Sequence, residues 1–212
     1  MGSVNDDGWL TAGTTDVDDV RTFYDEWAEQ YDSDLAGWEY RAPARIAGVL
    51  AEHADLGAPV LDAGCGTGLS GRALRSAGFT GDITGIDLSE ASLTIAAASG
   101  VYQDAIEADL NDPLPFDEAS FGAVACIGVL TYVPDVEACW REFCRVTRAG
   151  GVVAFTQRED TWIDRDCRGV LDRLATAGLW TPILVTDPEP YLPGIGDEMA
   201  EIGAHYVAAR VA

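Results

Sequence analysis

The residues best suited to chemistry stand at Asp62-Ala63-Gly64-Cys65-Gly66-Thr67-Gly68, where an apolar strand pattern ends on an acid and runs into a turn with glycine at alternate positions. Glycine there lets the backbone take positive φ or lie directly against a ligand. The helix expected behind the turn offers unpaired N–H groups and the positive end of its dipole, a setting for an anionic group. A nucleotide-like ligand is the natural occupant. Two such ligands compete. Gly66-Thr67-Gly68-Leu69-Ser70-Gly71 fits G-x-G-x-x-G, and Asp87 follows about twenty residues on, as in a dinucleotide-binding fingerprint. That reading needs the strand to run straight into those glycines, whereas this turn already begins at Gly64. It also leaves Asp62 facing a pyrophosphate, which is repulsive. An ammonium group on the ligand would explain Asp62.

The elements that position these residues alternate between strand and helix. Strands are expected at 60–63, 82–87, 102–109, 121–128, 152–156, 183–186 and 205–211, with 121–128 apolar enough to be a central strand covered on both faces. Helices are expected at 42–53, 69–77, 89–98, 135–147 and 165–177. Their punctuation is Pro43 in a first turn, Ser89 as N-cap, and Gly78 and Gly178 as stops. Ala149-Gly150-Gly151 reads as a tight turn before the fifth strand. Alternation of this kind through residue 156 means a parallel sheet wound by right-handed crossovers. Ahead of it, from Asp18, residues Val20, Phe23, Tyr24, Trp27 and Tyr31 share one face of an amphipathic helix. That face either packs on the domain or serves as a lid, since a lid needs large rigid side chains.

Composition limits the rest. The 212 residues suit one domain: a mobile tail over 1–17, a helical lid over 18–55 and a core over 58–212. There are 36 Asp+Glu against 13 basic residues, all of them Arg, and a formal charge of −23. Such a surface repels phosphate backbones, so nucleic acid is not an expected partner. It equally fits ordinary acidic solubility or adaptation to high salt. No apolar run is long enough to span a bilayer, and the acidic start is no secretory signal, so a cytoplasmic protein without membrane attachment is expected. Five cysteines without regular spacing indicate neither a disulfide framework nor a metal site.

Five motifs in order carry a family likeness: Asp62-Ala63-Gly64-Cys65-Gly66-Thr67-Gly68, Asp87 closing the second strand, Asp109-Leu110 after the third, Gly128-Val129-Leu130-Thr131-Tyr132-Val133 after the fourth, and Thr147-Arg148-Ala149-Gly150-Gly151 before the fifth. With them, residues 20–212 resemble the class I S-adenosylmethionine-dependent methyltransferases. Tyr24-Asp25-Glu26-Trp27-Ala28, Tyr31-Asp32, Tyr40-Arg41-Ala42-Pro43, Gly100-Val101-Tyr102-Gln103-Asp104 and Gly178-Leu179-Trp180 resemble the subfamily of the Williams–Beuren syndrome region methyltransferase.

The resemblance implies an α/β, doubly wound, Rossmann-like sheet of seven mostly parallel strands with an antiparallel last strand. It also implies S-adenosylmethionine as cofactor. Asp62, Ala63, Gly64, Cys65 and Gly66 would lie along the methionine part and Asp87 at the ribose diol. Leu88 would pack on adenine, Asp109 and Leu110 would meet its edge, Ile127 would lie beneath, and Tyr24, Trp27 and Tyr31 would form the lid. Where relatives often carry a histidine after strand four this chain has Tyr132, and no histidine base is carried over. Tyr132 and Asp135 stand as catalytic candidates; Trp162 and Tyr191 are expected at the substrate. Methyl transfer from a sulfonium is an in-line displacement that proximity in a dry pocket accelerates. The expected activity is transfer to a small-molecule acceptor, cationic or neutral given the acidic surface, by a monomer or homodimer. An NAD(P)-dependent oxidoreductase and a non-catalytic cofactor-binding protein are the alternatives.

Overall fold

The computed structural model of the chain describes Leu10, residues 13–195 and residues 202–212. Helix α1 (Val17–Gly37) begins where Asp16 accepts the amide hydrogens of Asp18 and Asp19. It starts one residue before the expected boundary. The expected mobile tail of residues 1–17 falls mostly on 1–9, 11 and 12, which lie outside the described residues. Helix α2 (Ala42–His53) carries Pro43 in its first turn, where a missing N–H leaves no bond unmade.

The sheet is built from β1 (Val60–Ala63), β2 (Ile83–Asp87), β3 (Asp104–Glu107), β4 (Phe121–Cys126), β5 (Thr147–Arg158), β6 (Trp180–Val185), β7 (Glu189–Pro190) and β8 (Gly203–Val211). Its order is β3-β2-β1-β4-β5-β8-β6, with β7 paired to β8. Strands β1 to β5 pair in parallel, and β8 runs antiparallel between β5 and β6. The expected fold is thus present, with an eighth, two-residue strand, β7, in the segment between β6 and β8.

Between the strands lie α3 (Leu69–Ser76), α4 (Glu90–Ala98), α5 (Val136–Val146), α6 (Glu159–Asp164) and α7 (Cys167–Thr176). One apolar layer stacks Trp140 of α5 and Trp180 of β6 on Phe155 of β5. The opposite layer packs Ile46 and Leu50 of α2, Leu74 of α3 and Trp27 of α1 against Val60, Ile83 and Ala154. Strand β4 is buried along its whole length, as its apolar run requires.

Two elements differ from the sequence reading. The helix expected over 165–177 starts at Cys167, because Asp166 takes a left-handed conformation and caps it through the Gly169 amide, and a separate short helix, α6, precedes it. The Gly150-Gly151 turn is instead a bulge within β5: Thr147 pairs with Phe121 and Val152 with Ala123, so the extra residues loop out of register.

Candidate active site

The site lies at the carboxyl ends of β1, β2 and β4, where strand order reverses between β1 and β4. Such switch points leave a crevice between diverging connections. Gly64, Gly66 and Gly68 all have positive φ, which carries the chain from β1 into α3 without a β-carbon in the way.

Beneath this turn, Asp62 is fully buried. Its Oδ2 accepts the Ser70 hydroxyl at 2.6 Å and the Tyr102 hydroxyl at 2.7 Å, while Oδ1 has no partner. Burial pushes its pKa up to about 6, against the pull of those two donors. Asp62 does not line the cleft. Its observed partners are the structural pair Ser70 and Tyr102, not an open ligand face.

A stability consequence follows. The folded chain holds the Asp62 proton more tightly than the unfolded chain, so this group's contribution falls as pH rises from 3.8 through about 6. The full window corresponds to about 3 kcal/mol, of which about 1 kcal/mol lies between pH 5 and pH 8. Urea unfolding should therefore show Asp62→Asn gaining about 1 kcal/mol on the parent chain from pH 5 to pH 8. A difference that does not change with pH would contradict the burial argument.

Asp87 closes β2 and stands in the cleft wall. Its Oδ2 accepts the Gly66 amide at 2.8 Å and its Oδ1 accepts the Ser89 amide at 2.9 Å. Burial raises its pKa despite these bonds. A carboxylate has about four lone-pair sites, so both oxygens can still accept from a ligand. The cleft itself has about 800 Å³, counting the space at its mouth. Gly64, Gly66, Asp87 and Leu88 line one wall, Asp109, Leu110 and Asn111 another, and Ile127, Gly128 and Val129 the floor. Asp109 lies two residues beyond β3 and accepts the amide and side-chain nitrogen of Asn111, each at 2.8 Å. Ala63 is fully buried within β1, and its backbone leads into the turn.

Helix α1 roofs the cleft with Val20, Arg21, Tyr24 and Tyr31. Trp27, the third expected lid residue, is turned inward: it is buried and donates its indole N–H to Asp34 at 2.7 Å. Two acids pin the roof down. Asp25 accepts the Ser89 hydroxyl at 2.6 Å and the Ala91 amide at 3.2 Å, at the start of α4. Asp32 accepts the Thr67 hydroxyl at 2.5 Å, in the glycine turn, and pairs with Arg72. Lifting α1 away from the cleft would break these bonds. Each is partly exposed, worth about 1 kcal/mol. Asp25→Ala and Asp32→Ala should each raise the release rate of a ligand bound in the cleft about fivefold, by stopped-flow displacement. An unchanged rate in the double variant would show that α1 is not the gate.

The remaining candidates are scattered. Cys65 lies outside the cleft lining, buried against Leu93 and Ala96, and burial pushes its thiol far above its usual range. Asp135 caps α5 by accepting the Ala138 amide at 3.0 Å and is not brought to the cleft. Trp162 is buried against the His205 ring at 4.3 Å, because the segment after β5 folds as α6 rather than as a loop over the site. Tyr132 does reach the cleft, and its hydroxyl accepts from Tyr24 at 3.0 Å. Tyr191 lines a second, adjoining cavity that shares Tyr24, Tyr31, Gly128 and Tyr132 with the first.

Several site residues escaped the sequence reading. Arg21 donates to the Leu88 carbonyl at 3.4 Å and pairs with Glu107. Tyr102 holds Asp62, and Tyr40 and Arg158 line the second cavity. Asp25 and Asp32 sat beside the aromatics of the helical face. Their place one residue off that stripe was the available signal for a latch.

Among the described residues no group of three or more His, Cys, Asp or Glu could hold a metal ion, and no helix is long and apolar enough to cross a membrane. The family described as "Methyltransferase domain" matches residues 61–155, the span from β1 to β5. Human methyltransferase-like protein 27 is 36% identical over 183 residues, 79% of this chain and 71% of that protein. The ubiquinone biosynthesis O-methyltransferase of Idiomarina loihiensis is 34% identical over 123 residues, 54% of this chain and 48% of the relative, so the chain spans about half of that protein. The crystal structure of geranyl diphosphate C-methyltransferase from Streptomyces coelicolor A3(2), in complex with Mg2+, geranyl diphosphate and S-adenosyl-L-homocysteine, superposes with a TM-score of 0.60 at 16% identity. The match covers 78% of each chain and speaks to fold alone. Sheet order, an acid at the end of β2, a glycine turn at the switch point and an extended relative all agree: the chain belongs to the class I S-adenosylmethionine-dependent methyltransferases.

Proposed function

We propose that the chain holds S-adenosylmethionine in the roofed cleft and transfers its methyl group to a small-molecule acceptor. The observation that carries this reading is Asp87, which lines the cleft with acceptor sites left on both oxygens after meeting Gly66 and Ser89. A two-oxygen acceptor fits a ribose diol. A β-carbon added at Gly66 would meet nothing within 4 Å, so the backbone there faces open space in which a ligand can lie against it. The backbone of Ala63, Gly64 and Gly66 would hold the methionine part. Leu88, Leu110 and Ile127 supply apolar surface for adenine, and Asp109 an acceptor for its amino group.

When bound, S-adenosylmethionine supplies an electrophilic methyl on a sulfonium whose leaving group is a neutral thioether. This chain supplies placement and dryness. Tyr24 and Tyr31 present aromatic faces at the roof, where a cation gains about 0.5–2 kcal/mol. Helix α1, latched by Asp25 and Asp32, keeps water out while the acceptor approaches. Burial raises the Tyr24 and Tyr31 phenols well above their ordinary range, so they stay neutral and serve as walls and donors rather than bases.

The acceptor is a small molecule in this reading because the roof leaves only narrow cavities, and because a charge of −23 opposes polyanions. The names of the relatives point the same way, to ubiquinone biosynthesis and geranyl diphosphate. A monomer or homodimer acting in the cytoplasm without membrane attachment completes the proposal. The test is incubation with methyl-labelled S-adenosylmethionine and a small-molecule cell extract. Label should enter an extractable compound with the parent chain and not with Asp87→Ala. Label in nucleic acid, or none above the variant's background, would overturn it.

A further inference from the structure

The second cavity differs in character from the surface around it. It has about 460 Å³, counting the open space at its mouth. Tyr24, Trp27, Tyr31, Trp38, Tyr40 and Tyr191 give it a nearly continuous aromatic wall. Flat rings pack edge-to-face or offset against such walls. Among its described lining residues there is no carboxylate and no imidazole, although acids outnumber bases in the chain by 36 to 13. The charged lining residue is Arg158, at the end of β5, which is 6% exposed.

Arg158 is incompletely satisfied. Its Nε donates to Asp160 at 3.1 Å, one terminal nitrogen also meets Asp160, and the other meets the Leu10 carbonyl. A guanidinium has five N–H groups, so two remain. Its counter-ion Asp160 is about half exposed, meets the guanidinium through Nε and one terminal nitrogen, and lies outside the cavity lining. A buried guanidinium with free donors is a strong recognition group for a planar carboxylate.

The hydroxyls nearby are donors of the same sense. Tyr40 and Tyr191 share a hydrogen bond at 2.9 Å and pack over Gly128, where any β-carbon would collide with both hydroxyls. Burial keeps these phenols neutral. A cationic ligand would gain from the ring faces but would meet the Arg158 head, whose counter-ion Asp160 is not among the described lining residues. An anion meets complementary charge.

We infer that this cavity is the acceptor site and that it takes a small, flat, monoanionic acceptor, an aromatic carboxylate, with its ring in the tyrosine–tryptophan wall and its charge at Arg158. The inference rests on the proposed cofactor cleft next door, whose sulfonium would add a second positive charge along the same path.

The experiment uses the full chain saturated with S-adenosylhomocysteine and three probes of one ring size: benzoate, benzamide and benzylamine. Binding is read by tryptophan fluorescence, because Trp27 and Trp38 line the cavity, and by calorimetry. Benzoate should bind at least tenfold more tightly than benzamide, and benzylamine most weakly. Arg158→Gln should bring benzoate down to the level of benzamide. Tighter binding of benzylamine, or no preference among the three on the parent chain, would overturn the inference even if the variant fails to fold. The homocysteine titration separates the two readings. If it saturates while the probes do not discriminate, the acceptor inference fails and the cofactor reading stands. If it shows no binding, the cofactor reading fails on its own.

Discussion

Asp87→Ala is expected to weaken S-adenosylhomocysteine binding about ten- to a hundredfold, because removing the charged partner of a diol costs about 1.5–3 kcal/mol. The same carboxylate also caps the Gly66 and Ser89 amides, so alanine leaves two donors short of a partner. Asp87→Asn separates the effects. It keeps an acceptor for one amide, and its stability should fall less than that of the alanine variant, yet its affinity should still drop because the second charge-assisted bond to the diol is lost. Calorimetric titration alongside urea unfolding checks both. Affinity in Asp87→Ala equal to that of the parent chain would remove Asp87 from the ligand.

The second large effect is expected at Gly64. Its φ of +79° lies in the left-handed region, and an added β-carbon would run into the Val129 side chain. The conformational cost for alanine is about 1–2 kcal/mol, and overpacking in a closed site adds about 1–3 kcal/mol. Against a typical total of about 5–15 kcal/mol, Gly64→Ala should lose a large part of its stability. Gly66→Ala is the control. It shares a positive φ of +51°, but nothing lies within 4 Å of its β-carbon. It should lose about 1–2 kcal/mol of stability and show its main loss in cofactor affinity, since that open space is the cleft. Unfolding and titration of the two variants should therefore rank them in opposite order. The same ranking in both measurements would mean that the two glycines do one job.

What was legible in the sequence was whatever depends on local chemistry. Alternating glycines, the acid Asp87 at the end of β2 and a helix N-cap at Ser89 are each fixed by a few neighbouring residues, and they lie where expected. The apolar run of β4 likewise announced a strand covered on both faces. What was hidden depends on contacts between distant segments. Tyr102 lies 40 residues from Asp62 in the chain and still donates to it. Asp25 reaches Ser89 across 64 residues; its place beside the aromatic stripe hints at a latch, but nothing local names Ser89 as the partner. Trp162 misled for a related reason. An aromatic just after β5 reads as a residue at the substrate, yet a short helix turns it into the core against His205. Asp135 fits a capping acid as well as it fits a base, and the structure gives it the cap.

The most direct test of the account is a calorimetric titration of the purified parent chain with S-adenosylhomocysteine, with NADH in a parallel cell. The account expects saturable one-to-one binding of the homocysteine compound and no heat from NADH. Saturation by NADH without binding of the homocysteine compound would contradict it, and would return the glycine turn to the dinucleotide reading that Gly66-Thr67-Gly68-Leu69-Ser70-Gly71 first offered.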